Sequence, residues 1–68
     1  MENNIGKSIK AARKVAGYTQ TEIAKLIGVT HAAISFWENG VNIPNVLDCW
    51  KLADVLHISI DELVGRIE

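Results

Sequence analysis

Apolar residues recur every three or four positions along most of this chain, which is the spacing of amphipathic helices. The first such stretch runs from about Asn4 to Ala16, and Gly17 follows where the predicted helix ends. At roughly 100° per residue its apolar side chains share one narrow arc, which contains Ile5, Ile9, Ala12 and Ala16. No alternating run of apolar and polar residues is long enough to predict a strand.

Capping residues divide the next part of the chain into two short helices. Thr19 and Glu22 have the spacing of a capping box, so a second helix is expected to begin there and to end at Gly28. Thr30 is the expected cap of a third helix, from about His31 to Asn39. One face of the second helix consists of Gln20, Ile23, Ala24 and Ile27. Only the turn at 28–30 therefore separates the two helices.

The two faces of the third helix differ in character. One face is predicted to pack on the core and carries Ala33, Ile34 and Trp37. The opposite face is predicted to be exposed and carries His31, Ala32, Ser35, Phe36 and Asn39. This exposed face has no Arg, Lys or Gln.

Two further helices are expected in the last third of the chain. Pro44 and Asn45 open the fourth helix, and Ser59 with Glu62 has the spacing of a second capping box that opens the fifth. The core stripe of the fourth helix consists of Val46, Cys49, Leu52, Ala53 and Leu56. The apolar face of the fifth consists of Ile60, Leu63, Val64 and Ile67. His57 takes the place of the glycine that often follows a helix, so we expect a left-handed conformation there.

Size and composition narrow the possible functions. The 68 residues are expected to form one domain, 1–68, and 49% of them are hydrophobic against 22% charged, as in a globular protein. No apolar run approaches the roughly 18 residues of a membrane helix, and the first residues lack the apolar core of a signal peptide. Cys49 is the only cysteine, which excludes an internal disulfide and favours the cytoplasm. Together with His31 and His57 it has no metal-ligand spacing.

The second helix, its turn and the third helix have the order of a helix-turn-helix, at about 19–39. Several segments resemble the Cro/CI-type, or XRE-type, helix-turn-helix family of bacterial and phage transcriptional regulators. They are IKAARKVAG with Ile9 and Arg13, YTQTEIAKLIGV, ISFWENG, IP and LADVLHISIDEL. The resemblance implies an all-α fold, a five-helix lambda-repressor-like DNA-binding domain, whose partner is double-stranded DNA.

The resemblance also implies roles for individual residues. In this family the third helix enters the major groove and the second crosses the DNA backbone. The residues expected to contact bases are His31, Ala32, Ser35 and Phe36. Those expected to contact the backbone are Thr19, Gln20, Thr30 and Asn39. Arg13 and Glu38 are expected to form a structural salt bridge, since family members often pair an arginine and a glutamate there; the alternative is two independent surface charges.

The base-contacting set departs from the Arg, Lys and Gln that the family commonly carries. His31 can donate to or accept from a base or a phosphate, and Ser35 can hydrogen-bond either way. Ala32 and Ala33 can lie against a thymine methyl group, and Phe36 against a thymine methyl group or a sugar. This set favours a thymine-containing site, or one recognised partly through DNA shape. Alternatively, His31 is only solvated, and Phe36 serves a protein contact. The net charge of −1 gives no general attraction to nucleic acid.

The most specific prediction is a small phage- or plasmid-type repressor that binds a palindromic operator as a homodimer. Ile60, Val64 and Ile67 are the expected dimer contacts, unless Ile60 and Val64 merely pack under the fourth helix. The alternative function is a protein-interaction module on the same fold, with a sticky patch at Phe36, Val41 and Ile43. No enzyme activity, cofactor or small-molecule substrate is expected, because the sequence offers no nucleophile–base pair and no phosphate-binding glycine loop.

Overall fold

Four of the five helices begin at the capping side chains that the sequence predicts. The side-chain oxygens of Thr19, Thr30, Asn45 and Ser59 each accept a hydrogen bond from the backbone N–H three residues on, at 2.8 to 3.1 Å. In the two predicted capping boxes, the glutamate also accepts from the backbone N–H of the cap residue. These bonds satisfy donors that a helix start would otherwise leave without a partner.

The computed structural model describes residues 5–64, and no strand occurs among them. The helices are α1 (Ile5–Ala16), α2 (Gln20–Ile27), α3 (His31–Glu38), α4 (Val46–Leu56) and α5 (Ile60–Leu63). Their order and bounds confirm the predicted five-helix, all-α fold. His57 has φ 57° and ψ 41°, so the left-handed conformation expected after α4 is also confirmed.

The core is built from the inward faces of all five helices. Its fully buried centre consists of Ile9, Ile23, Ile34, Leu52 and Leu63. Trp37 and Cys49 are buried beside it, as expected, and the Cys49 thiol donates to the Pro44 carbonyl oxygen at 3.7 Å. The fold therefore holds α3 by its inward residues and leaves its other face outside.

Two predicted core positions are wrong. Val46, assigned to the stripe of α4, is 84% exposed, and Ala16 at the end of α1 is also exposed. Both are terminal residues of their helices. The apolar periodicity continues to the end of each helix, but at these two ends no neighbouring helix covers it.

A glycine that the sequence pattern did not single out sets the distance between α1 and α3. Gly6 is buried against the end of α3. A Cβ atom added there would lie 2.9 Å from the carbonyl oxygen of Glu38 and closer still to that of Trp37. Only glycine lets the two helices approach this closely.

The contact between α1 and α3 is completed by an ion pair. The Arg13 guanidinium donates to both carboxylate oxygens of Glu38, from Nε at 2.7 Å and from Nη2 at 3.1 Å. A third donor, Nη1, reaches the carbonyl oxygen of Tyr18 at 2.8 Å. The side chains are only 11% and 2% exposed, so water screens this pair little.

Replacing Arg13 by alanine should destabilise the fold. The change leaves the Glu38 carboxylate shielded from water without its cation, a loss worth about 3–5 kcal/mol for a buried pair. For a domain of this size each kcal/mol corresponds to a fall in Tm of roughly 4–8 °C. Thermal unfolding followed by circular dichroism measures the loss. Lys14→Ala, an exposed cation one residue on, is the control and should melt near wild type. An Arg13→Ala melt that matches wild type would contradict the structural role.

Gly6→Ala should also destabilise the fold, although alanine is the better helix former. The gain in helix propensity is at most about 1 kcal/mol, whereas overpacking against rigid backbone costs about 1–3 kcal/mol. Urea unfolding gives the difference in free energy of unfolding. Val15→Ala, at a position of the same helix that is 90% exposed, is expected to leave stability unchanged. Equal or greater stability in Gly6→Ala would show that the helices can move apart freely.

Candidate nucleic-acid interface

The outward face of α3 carries the side chains predicted to meet bases. His31 and Ala32 are exposed, Ser35 is half-buried, and Phe36 is 46% exposed. They lie outside because Ile34 and Trp37 occupy the core. The flanking residues Thr30 and Asn39 are exposed as well. The structure therefore gathers the predicted base contacts on one open helix face.

The start of α2 lies beside the start of α3. Gln20, the first residue of α2, is half-buried, and its Oε1 lies 2.9 Å from Nε2 of His31. Thr19, the cap of α2, is exposed next to it. Two predicted backbone contacts and one predicted base contact thus form a continuous surface at this end of α3.

Gln20 also connects this surface to the ion pair beneath it. Its Nε2 donates to Oε1 of Glu38 at 3.0 Å, and Glu38 in turn accepts from Arg13. Neither contact of Gln20 is predicted by the sequence pattern. The partners are 11 and 18 positions away, so neither helical periodicity nor a local motif indicates them.

The Glu38 carboxyl remains ionised in this arrangement. Burial by itself would raise its pKa. The hydrogen bonds from Arg13 and Gln20, together with the charges of Arg13 and Lys10, outweigh burial and hold the pKa of Glu38 below its usual value. At neutral pH Glu38 is therefore a carboxylate, and both of its oxygens accept hydrogen bonds.

The other end of the face has a separate, exposed contact. Nδ2 of Asn39 donates to Oγ of Ser35 at 3.3 Å. A serine hydroxyl that accepts one bond still has its own proton to donate. Ser35 can therefore donate to a base acceptor while Asn39 steadies it. Phe36 offers only apolar surface, which suits a thymine methyl group.

The charges around this face are sparse. Glu38 is the only charged residue of α3, and its carboxylate is paired with Arg13 rather than directed to the surface. The exposed lysines described are on α1, α2 and α4: Lys7, Lys10, Lys14, Lys25 and Lys51. Hydrogen bonds and apolar contacts therefore dominate what α3 itself can offer.

A second open surface, which we call the α4 apolar surface, consists of Ile43, Val46, Leu47, Trp50 and Ile60. Its largest member, Trp50, is 67% exposed. Most of these residues border a depression of about 360 Å³ that Val64 also lines. Val64 is half-buried against the core, so of the predicted dimer contacts Ile60 is the more accessible. Ile67 lies outside the described residues.

The described residues offer neither a membrane-spanning helix nor a metal-binding cluster. Within residues 5–64, no helix has the length and apolar character needed to cross a membrane. The same part of the chain contains no cluster of three or more His, Cys, Asp or Glu side chains arranged to hold a metal ion.

Comparison with known proteins supplies the family. A helix-turn-helix family model matches residues 9–63. The chain is 41% identical over 58 residues to an uncharacterized HTH-type transcriptional regulator of Bacillus subtilis, YazB, covering 85% of this chain and 84% of that protein. It is 41% identical over 54 residues to the cryptic phage CTXphi transcriptional repressor RstR of Vibrio cholerae, covering 79% of this chain but only 48% of RstR.

The fold is also that of a repressor solved on DNA. The P22 c2 repressor protein in complex with a synthetic operator superimposes with a TM-score of 0.86 at 33% identity, covering 93% of this chain and 96% of that one. Together with the matched family model, this similarity accounts for the whole arrangement of α1 to α5. The chain belongs to the XRE-type helix-turn-helix family of DNA-binding transcriptional regulators.

Proposed function

We propose that this chain is a sequence-specific repressor that binds a palindromic operator in double-stranded DNA as a homodimer, in the cytoplasm and without a cofactor. One observation carries the proposal: the open face of α3 presents His31, Ala32, Ser35 and Phe36 beside the start of α2. An α-helix fits the major groove, where the edges of all four base pairs differ. Repression would be steric, because the bound dimer occupies the operator.

Each side chain of the α3 face has a distinct proposed contact. Ala32 and Phe36 lie against thymine methyl groups, and Ser35 donates to a base acceptor. Contacts from Thr19, Gln20, Thr30 and Asn39 to phosphates set the position of the helix in the groove. A good bidentate base contact contributes about 1–3 kcal/mol of discrimination, and α3 has no arginine or lysine to make one with guanine. Affinity per domain is therefore modest.

Dimerisation would offset that modest affinity. A two-fold operator places its half-sites about 34 Å apart on one side of the duplex. The longest dimension of the domain is 30 Å, so two adjacent copies have the right size to reach successive major grooves. The α4 apolar surface is the proposed contact between them, continuous with the predicted dimer residues Ile60 and Val64. Ile67 stays part of that proposal.

A second candidate function is a protein-interaction module. Its support is the exposure of Phe36, Val41 and Ile43, large apolar side chains that often mark protein contacts. Selection from a random double-stranded DNA library, repeated at low and moderate salt, separates the two functions. Enrichment of a common palindrome supports the repressor. Binding that never exceeds the nonspecific level, together with micromolar affinity for a protein partner, favours the interaction module.

Phe36→Ala should reduce affinity for the selected operator by about tenfold, because it removes the main apolar contact with the groove. Affinity for unrelated DNA should change little, since that binding depends on phosphate contacts. Val41→Ala removes a similarly exposed side chain beyond the end of α3 and is the matched control. Fluorescence anisotropy with operator and scrambled duplexes gives both ratios. Equal effects of the two variants on operator binding would contradict the assigned face.

Trp50→Glu should convert the dimer to a folded monomer that binds the operator weakly. A charge on the α4 apolar surface would be desolvated in the interface without a partner. Val15→Glu introduces the same charge at an exposed apolar position of α1, away from this surface, and should leave the dimer intact. Analytical ultracentrifugation gives the molar mass of each. If wild type and Trp50→Glu sediment identically, the proposed interface is excluded.

A further inference from the structure

We infer that His31 reads its base pair as a hydrogen-bond acceptor, so that the base it faces is adenine or cytosine. The inference rests on the proposed function and makes it more specific. Side-chain chemistry alone leaves His31 free to donate or accept. The contacts of Glu38 and Gln20 remove that ambiguity, one hydrogen bond at a time.

The first step is the orientation of the Gln20 amide. Glu38, held as a carboxylate by Arg13, has only acceptor oxygens. The atom of Gln20 that lies 3.0 Å from Oε1 of Glu38 must therefore be the amide nitrogen. The amide oxygen of Gln20 is then the atom that faces Nε2 of His31. The ion pair thus determines that the amide oxygen of Gln20, and not its nitrogen, contacts His31.

The second step is the proton on the imidazole. An amide oxygen only accepts, so Nε2 of His31, 2.9 Å from Oε1 of Gln20, must carry a hydrogen. In a neutral ring the other nitrogen, Nδ1, then has a lone pair and accepts. The two ring nitrogens point in divergent directions, so Nδ1 faces away from Gln20 while the side chain remains exposed.

The third step is the choice of base. In the major groove only the N6 amine of adenine and the N4 amine of cytosine donate hydrogen bonds. Guanine and thymine present acceptors there, which would oppose the lone pair of Nδ1. Gln20 is therefore a positioning residue: it determines the preference through His31, in addition to its proposed contact with a phosphate.

The test begins with the operator selected by the wild-type chain and by His31→Ala, both at about pH 8. The base pair whose preference disappears in His31→Ala is the one that His31 faces. Each base pair presents one exocyclic amine in the major groove, that of its adenine or its cytosine, and this is the expected donor to His31. That base is then replaced by the analogue lacking only the exocyclic amine, purine for adenine or pyrimidin-2-one for cytosine.

Removal of the amine should weaken wild-type binding about fivefold to tenfold, the value of one hydrogen bond. In His31→Ala the same replacement should weaken binding less than in the wild type. The difference between the two proteins removes any contribution from the changed duplex itself. Gln20→Met, which keeps the length of the side chain, should lose preference at this base pair and retain it at the others. A thermal melt establishes that Gln20→Met is folded. The amine replacement tests the inference independently of this variant.

An equal effect of amine removal on both proteins overturns the inference and leaves the repressor function standing. An unchanged preference in folded Gln20→Met overturns the positioning role. Ring ¹⁵N NMR of the free chain gives a readout without DNA, in which a proton on Nδ1 rather than Nε2 of His31 would also overturn it. Selection of no common sequence contradicts the repressor function and this inference together.

Discussion

The guanidinium of Arg13 joins parts of the chain that lie far apart in the sequence. It extends from α1 to the carbonyl oxygen of Tyr18, just before α2, and to the carboxylate of Glu38 at the end of α3. Each of its three donor nitrogens has an acceptor, and the carboxylate is almost completely shielded from water. Charge-assisted, bidentate bonds of this kind specify geometry as well as energy. This one side chain therefore connects α1 to the start of α2 and to the end of α3, in addition to the core contacts of the three helices.

The same carboxylate links stability to recognition. One of its oxygens accepts from both Arg13 and Gln20, and Gln20 continues to His31 on the open face. At the other end of α3, the Asn39 side chain donates a hydrogen bond to the Ser35 hydroxyl. The His31 side chain is therefore connected to the interior of the domain through Gln20 and Glu38, whereas Ser35 and Asn39 form a local contact on the exposed face. A change at Glu38 would alter both the fold and the chemistry that His31 presents.

Local physics explains which features the sequence could predict. Caps depend on residues three apart, so Thr19, Thr30 and Ser59 indicated the helix starts correctly. Periodicity predicts the core in the middle of each helix but fails at Val46, because the apolar pattern extends to the end of α4, where no other helix covers it. The close approach at Gly6 depends on how helices distant in sequence cross. The contacts of Gln20 have the same origin, and no pattern along the chain contains that information.

The open face of α3 carries no lysine or arginine, which bears on how the domain would distinguish one DNA sequence from another. Lysine and arginine strengthen binding to every DNA sequence, because phosphates are the same everywhere. The exposed residues of α3 add no such term, and the chain as a whole has a net charge of −1. On the proposed function we therefore expect weak nonspecific binding, which would let a few hydrogen bonds and methyl contacts give a useful ratio of specific to nonspecific affinity. On the proposed function, discrimination would depend on how well α3 is positioned rather than on how strongly it attracts DNA, and the ion pair of Arg13 with Glu38 contributes to that positioning.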